Sequence, residues 1–183
     1  ADDDIFVGSG RARITSPRRN IAIRYTTDGS DPTPSSPVAD ASIGFNETTT
    51  ISVRAFRGQH AVSPVARRTF TKATPAPAQA ASASKPGISY RYFEGDWDRV
   101  PDFATMTPVT TGTVQSLDLK PRPNERPDQF GFRYQGYFRA PSDGVYVFWI
   151  ASDDGSNLYV DGQKVVDNDG LHSLHEERGS MAL

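Results

Sequence analysis

The stretch Leu158-Tyr159-Val160-Asp161-Gly162-Gln163-Lys164-Val165-Val166 decides the fold class. Two apolar runs flank an Asp-Gly pair. A two-residue type I′ turn needs positive φ at both central positions, and Asp-Gly meets that need at little steric cost. The stretch predicts a β-hairpin. Outward from it the pattern repeats. Phe130, Phe132 and Tyr134 alternate with Gly131 and Arg133, a period of two that places one face on a core. Val145 to Ala151 is a nearly continuous apolar run, which predicts a strand covered on both faces, with Trp149 in the core. Pro141-Ser142-Asp143-Gly144 supplies the turn into it. Tyr90, Tyr92 and Phe93 read as the first strand of this region, and Thr107 to Pro127 as an irregular loop between sheets.

Residues 71–86, TKATPAPAQAASASKP, divide the chain. Alanine, proline and serine dominate there, and no large apolar side chain is present, so the segment reads as a semi-extended linker. Before it, Ile21, Ile23 and Tyr25 alternate with Ala22 and Arg24, and Ile51, Val53 and Ala55 alternate with Ser52 and Arg54. Each pair of sets predicts one apolar and one watered face. Thr27 to Thr33 is dense in turn formers, and a short strand is expected near Val65 to Phe70. The expected organisation is all-β: a small sandwich over residues 1–71, a linker at 72–86, and a second sandwich over 87–183.

Composition excludes several function classes. The chain of 183 residues carries a net charge of -2, which gives no footprint for nucleic acid or an acidic membrane surface. It has no cysteine, so disulfide frameworks, cysteine zinc sites and thiol nucleophiles are absent. No stretch approaches the roughly 18 apolar residues of a membrane span, so no membrane insertion is expected. There is no secretory signal, phosphate loop, dinucleotide fingerprint or Gly-x-Ser-x-Gly elbow. The chain opens on Ala1-Asp2-Asp3-Asp4 without an initiator Met, which reads as a piece of a longer protein.

Two resemblances follow from these strings. Ile23 to Thr33, containing YTTDGSDPT, and Thr50 to Phe56 resemble the chitobiase/β-hexosaminidase C-terminal domain over residues 5–71. That resemblance implies a small immunoglobulin-like or fibronectin-like sandwich. Gly136 to Pro141, Gly144 to Phe148, Ser152 to Ser156, Leu158 to Gly162 and Val165 to Asn168 resemble the protective-antigen-type (PA14) domain over residues 88–183. This second resemblance implies a β-sandwich whose last strands are expected beyond Leu183. Together the two resemble the tail of bacterial family 20 β-N-acetylhexosaminidases. They imply a secreted, periplasmic or cell-surface accessory region with a glycan and the parent's catalytic domain as partners. The alternative is a surface adhesin that binds glycans through calcium.

Candidate sites remain two-sided. Asp153-Asp154-Gly155 follows an apolar strand, and two adjacent carboxylates suit a hard cation such as calcium. In the sugar-binding branch of the PA14 family the matching pair binds calcium, which orients sugar hydroxyls, with an Asn from a later loop. Asn168 is one candidate here, and the resemblance also allows the family's Asn to lie beyond Leu183. The competing reading is a turn in which both carboxylates cap backbone amides. Asp167-Asn168-Asp169-Gly170 either joins that pair across adjacent loops or is a solvated turn. Trp97 either stacks on a sugar ring or packs structurally. Asp28 and Asp31 read as a structural turn, His172 and His175 as surface or packing residues, and Arg11, Arg13, Arg18, Arg19 and Arg24 as a solvated face. No catalytic residue is expected. The family 20 reaction uses an adjacent Asp-Glu pair, and none of the five glutamates follows an Asp.

Overall fold

The computed structural model describes residues 4–80 and 86–183. The linker expected at 72–86 therefore lies partly outside the described residues, at 81–85. The chain divides into two compact units. One comprises the chain up to Ala76 with Ser142–Tyr146 and Ala182–Leu183, the other Pro77–Pro141 and Val147–Met181. Among the described residues the regular elements are strands, apart from a 3₁₀ turn over Pro123–Glu125.

The first unit contains β1 (Ile5–Phe6), β2 (Gly10–Arg13), β3 (Ala22–Thr26), β4 (Ser42–Phe45), β5 (Thr49–Arg57), β6 (His60–Ala61) and β7 (Ala66–Lys72). One sheet runs β1-β7-β5-β3 with β6 beside β5, and β2 pairs with β4 in another. The core is small and aromatic. Phe6, Ile43, Ile51 and Phe56 are buried. Phe45 stacks on Phe70 with centroids 4.8 Å apart and meets Phe6 edge-on at 4.9 Å. Gly10 makes room for this cluster, since a Cβ there would lie 2.2 Å from the Phe45 ring.

The alternation in β5 misleads at one residue. Ser52, expected to face water, is fully buried, and its hydroxyl has no hydrogen-bond partner. The reason is position: β5 is paired on both sides, and Phe56, two steps of the pleat further on, brings apolar cover to the same face. The Thr27–Thr33 segment is a structural turn. Ser30 donates to Asp28 Oδ1 through its amide (3.0 Å) and its hydroxyl (2.6 Å). Those bonds hold the Asp28 carboxyl below its ordinary pKa. Asp31 pairs with Arg67.

The second region contains β8 (Ile88–Glu94), β9 (Thr110–Val114), β10 (Phe130–Gln135), β11 (Val145–Ser152), β12 (Ser156–Val160), β13 (Gln163–Asn168) and β14 (His175–Ala182). Three strands form a sheet in the order β10-β8-β9, while β11 pairs with β14 and β12 with β13. The hairpin forms as predicted, with φ of 49° at Asp161 and 80° at Gly162. One face of the three-stranded sheet is an aromatic layer. Tyr92, fully buried, lies 5.1 Å from Phe132, which in turn stacks on Tyr134 at 5.3 Å. Burying side chains of this size stabilises by about 1.5–3 kcal/mol each. Burial is also the leading cause that raises the Tyr92 pKa, with its hydrogen bond to Glu94 adding to it.

Two expectations fail here. The stretch expected as an irregular loop contains β9, antiparallel to β8. Its Thr-rich sequence is polar because alternate residues face water, yet β-branched threonines suit the pleat. The β11 run is also not covered on both faces. Val147 and Trp149 alternate outward, and Trp149 is 57% exposed under the Arg178 guanidinium, 5.5 Å from the ring. Trp149 is therefore not a core residue. Arg178 shields it in part, which is how a long cationic side chain covers apolar surface.

Candidate functional site

The Asp153-Asp154-Gly155 turn joins β11 to β12, and the Asp153–Asp154 peptide is cis. A polar network underlies it. Ser152 Oγ lies 2.6 Å from Ser156 Oγ, and Asn168 Nδ2 donates to Ser152 Oγ (3.1 Å) and His175 O (3.3 Å). Asn168 is almost fully buried, so its amide ties β11, β13 and β14 together. A buried, bonded amide of this kind fixes geometry because leaving either group unpaired is costly.

The turn after β13 lies against the acidic turn. A Cβ on Gly155 would sit 2.8 Å from Gly170 N and 2.9 Å from Gly170 O, so only glycine permits this approach. The His172 amide donates to Asp154 Oδ1 at 3.0 Å. Asp153 is exposed and, among the described residues, accepts no hydrogen bond. The Asp167–Asp169 cluster is committed elsewhere: Asp167 pairs with Lys164 at 3.1 Å, and Asp169 Oδ1 accepts from Val100 N at 2.7 Å. The Val100 bond ties the loop that carries Trp97 to the Asp169 turn.

His172, expected from the sequence as a surface or packing residue, is held at this site by its backbone contacts. Its Nδ1 lies 2.9 Å from Ser173 O and its Nε2 3.1 Å from Asn168 O. A carbonyl oxygen only accepts, so both contacts are hydrogen bonds only when both ring nitrogens carry protons. Its pKa is raised above 6.5, first by the Asn168 carbonyl, then by that of Ser173, with the Asp154 and Asp153 charges adding. The i, i+3 spacing of His172 and His175 carried no signal of this, because the partners are backbone groups.

Trp97 is half-buried. Its ring meets Phe103 edge-on at 5.8 Å and packs over Gly95 and Gly131. Asp153 and Asp154 supply hard oxygen donors of the type calcium takes. Asn168 turns its amide nitrogen toward Ser152 and His175. No group of three His, Cys, Asp or Glu with metal-holding geometry occurs among the described residues. The set that suits a cation is thus the carboxylate pair in the turn. No helix of the structure is long and apolar enough to cross a membrane.

The described chain is built of strands, with its candidate carboxylates on a turn between two of them. The chain belongs to the PA14 domain family, which matches residues 84–183, and the Fn3 associated family matches residues 13–70. Over 184 aligned residues, 97% of this chain, it is 29% identical to a protein named Beta-hexosaminidase from Porphyromonas gingivalis (strain ATCC BAA-308 / W83). The chain spans 23% of that relative's length. No solved structure matches. These similarities fit an accessory region of a glycoside hydrolase, with domains of accessory rather than catalytic type.

Proposed function

We propose that this chain is the non-catalytic accessory region of a secreted, periplasmic or cell-surface β-N-acetylhexosaminidase-type enzyme, and that it binds glycan for, and spaces, the catalytic domain. The observation that carries this reading is the alignment along 97% of the chain to a protein named Beta-hexosaminidase, through two accessory-type families in order. The binding role rests on the second unit. Asp153 and Asp154 hold a calcium ion, with water and sugar hydroxyls completing the oxygen shell that calcium requires. Trp97 offers an aromatic edge on a loop tied to the neighbouring turn. Asn168 spends its amide nitrogen on the network beneath, and a hard cation takes oxygen, so what it can offer the shell is its Oδ1.

Calcium calorimetry on the native protein and Asp154→Ala tests this reading. Micromolar binding in the native chain and a loss of at least ten-fold in the variant is the expected result. Absence of calcium binding with the fold intact by circular dichroism overturns the metal role and leaves spacing. A chromogenic N-acetylglucosaminide should not be hydrolysed above background, and turnover would overturn the non-catalytic assignment. The adhesin reading draws on the same carboxylate pair. It is favoured if no catalytic barrel adjoins the chain in its full-length protein.

A further inference from the structure

The outer face of the β10-β8-β9 sheet carries a second, separate feature. Register places Arg91 of β8 directly opposite Arg133 of β10 and Thr111 of β9. Ser89, the next residue on that face, lies opposite Gln135 and Thr113. The opposite face holds the aromatic layer of Tyr90, Tyr92 and Phe132, so the two arginines share the polar side. Cross-strand neighbours of this kind have Cβ atoms about 4.5–5.5 Å apart, and like charges placed so are destabilising. Among the described residues neither guanidinium has an ion pair or hydrogen bond. Two neighbouring arginines are engaged: Arg126 pairs with Glu94, and Arg122 lies over Phe130.

An open groove of about 430 Å³ lies over Ser89, Arg91 and their β9 neighbours, lined by Ser89, Arg91, Thr111, Thr113 and Gln135 with Tyr90 and Gly112; Arg133 stands outside this lining, across the rung from Arg91. No carboxylate lines it, so its charge is positive and unbalanced. Its remaining edges are hydroxyls and one amide, which match the donors and acceptors of a sugar ring. One rung beyond the arginines, Gly131 sits opposite Phe93, and the Trp97 ring would lie 3.5 Å from a Cβ at Gly131. That end of the face is closed by packed rings: Phe93 and Phe103 are buried and stacked at 4.5 Å, with Trp97 edge-on to Phe103, so the open part of the face is the arginine rung and the polar rung beyond it.

We propose that the Arg91–Arg133 face binds an acidic saccharide, with its carboxylate or sulfate group between the two guanidiniums and its ring hydroxyls on Ser89, Thr111, Thr113 and Gln135. The fork of donors on each arginine matches a planar carboxylate or one face of a sulfate. An anion bound there removes the repulsion across the rung. This site is independent of the Asp153–Asp154 turn and needs no calcium.

Calorimetry with an oligouronate, a sulfated glycosaminoglycan oligosaccharide, a neutral chitooligosaccharide and inorganic sulfate, each in calcium and again in EDTA, tests the proposal and tells the two acidic sources apart. At least one acidic oligosaccharide binds in EDTA, and Arg91→Ala and Arg133→Ala each weaken it at least ten-fold. Arg57→Ala, in the first unit, leaves it unchanged. The alanine variants melt no lower than the native chain, because each relieves a like-charge contact, and the double substitution Arg91→Lys with Arg133→Lys retains weaker binding. Equal binding by the arginine variants, or no binding of either acidic oligosaccharide, overturns the proposal. Inorganic sulfate binding as tightly as the sulfated oligosaccharide overturns the saccharide part. Binding that disappears in EDTA assigns the ligand to the carboxylate turn and overturns it for this face.

Discussion

Two turns of this chain look alike in sequence and differ in how their carboxylates are used. Thr27 to Thr33 and Ser152 to Ser156 are both dense in Asp, Ser and Gly. In the first, the Asp28 carboxylate accepts two bonds from Ser30, and Asp31 pairs with Arg67. Each charge is used by the fold. In the second, Asp154 accepts one amide bond from the facing turn, and Asp153 accepts none among the described residues. Charge density does not say whether a turn's carboxylates are used by the fold, but the count of satisfied lone pairs does. A carboxylate with open acceptor sites, held on a rigid polar network, is free to take an external cation.

The contrast is broken most forcefully at the glycines. Gly155→Ala drives a methyl into the Gly170 backbone, which has no flexible side chain to yield. Overpacking of this kind costs about 1–3 kcal/mol, and calcium binding should weaken with it because the two turns separate. Gly29→Ala meets nothing closer than Thr50 Cγ2 at 3.4 Å, but Gly29 has φ of +82°. Its cost is backbone strain alone, about 1 kcal/mol. Thermal melts of the two variants compare them. If Gly29→Ala is the more damaging, the acidic turn is not locked by its neighbour as the geometry requires.

Exchanging the carboxylates sharpens the same contrast. Asp28→Ala removes two acceptor bonds and should lower Tm by a few degrees without touching calcium affinity. Asp153→Ala removes no bond, so Tm should hold within a degree while calcium binding falls at least ten-fold. A melt in which Asp153→Ala loses as much as Asp28→Ala would show that Asp153 is structural and would remove the basis for a metal there.

Much of the fold was legible because it rests on local signals. The Asp161-Gly162 turn, the aromatic alternation in β10 and the turn-forming Thr27–Thr33 segment each fix backbone geometry within a few residues. What failed was decided by neighbours distant in sequence. Ser52 is buried because β5 is central, Trp149 is exposed because β11 is covered on one face only, and β9 was hidden by its threonines. The candidate site divides the same way. The Asp153–Asp154 string is visible in sequence, whereas the Gly155–Gly170 contact and the two carbonyls around His172 exist only once the turns meet. Arg91 and Arg133 each occupy an ordinary polar position between aromatics, and only the register between β8 and β10 makes them a pair.

The smallest expected effect is the pH dependence of the second turn. His172 has a folded pKa raised above 6.5, its ordinary value. The folded state therefore holds the proton more tightly than the unfolded chain does. That stabilisation is fully present below pH 6.5 and is lost as pH rises through the folded value. Melts should show Tm falling across that window, and His172→Ala should flatten the fall. Asp154→Ala should lower the His172 pKa, read by NMR titration, only in part, because the carbonyls of Asn168 and Ser173 outrank the carboxylate charges as causes. A return of the pKa to 6.5 in Asp154→Ala would mean that the carboxylate, and not the backbone cage, holds the proton. The first turn contains no histidine, so Asp28→Ala should leave this pH dependence unaltered. A change there would show that the two turns are not the separate devices their bonding describes.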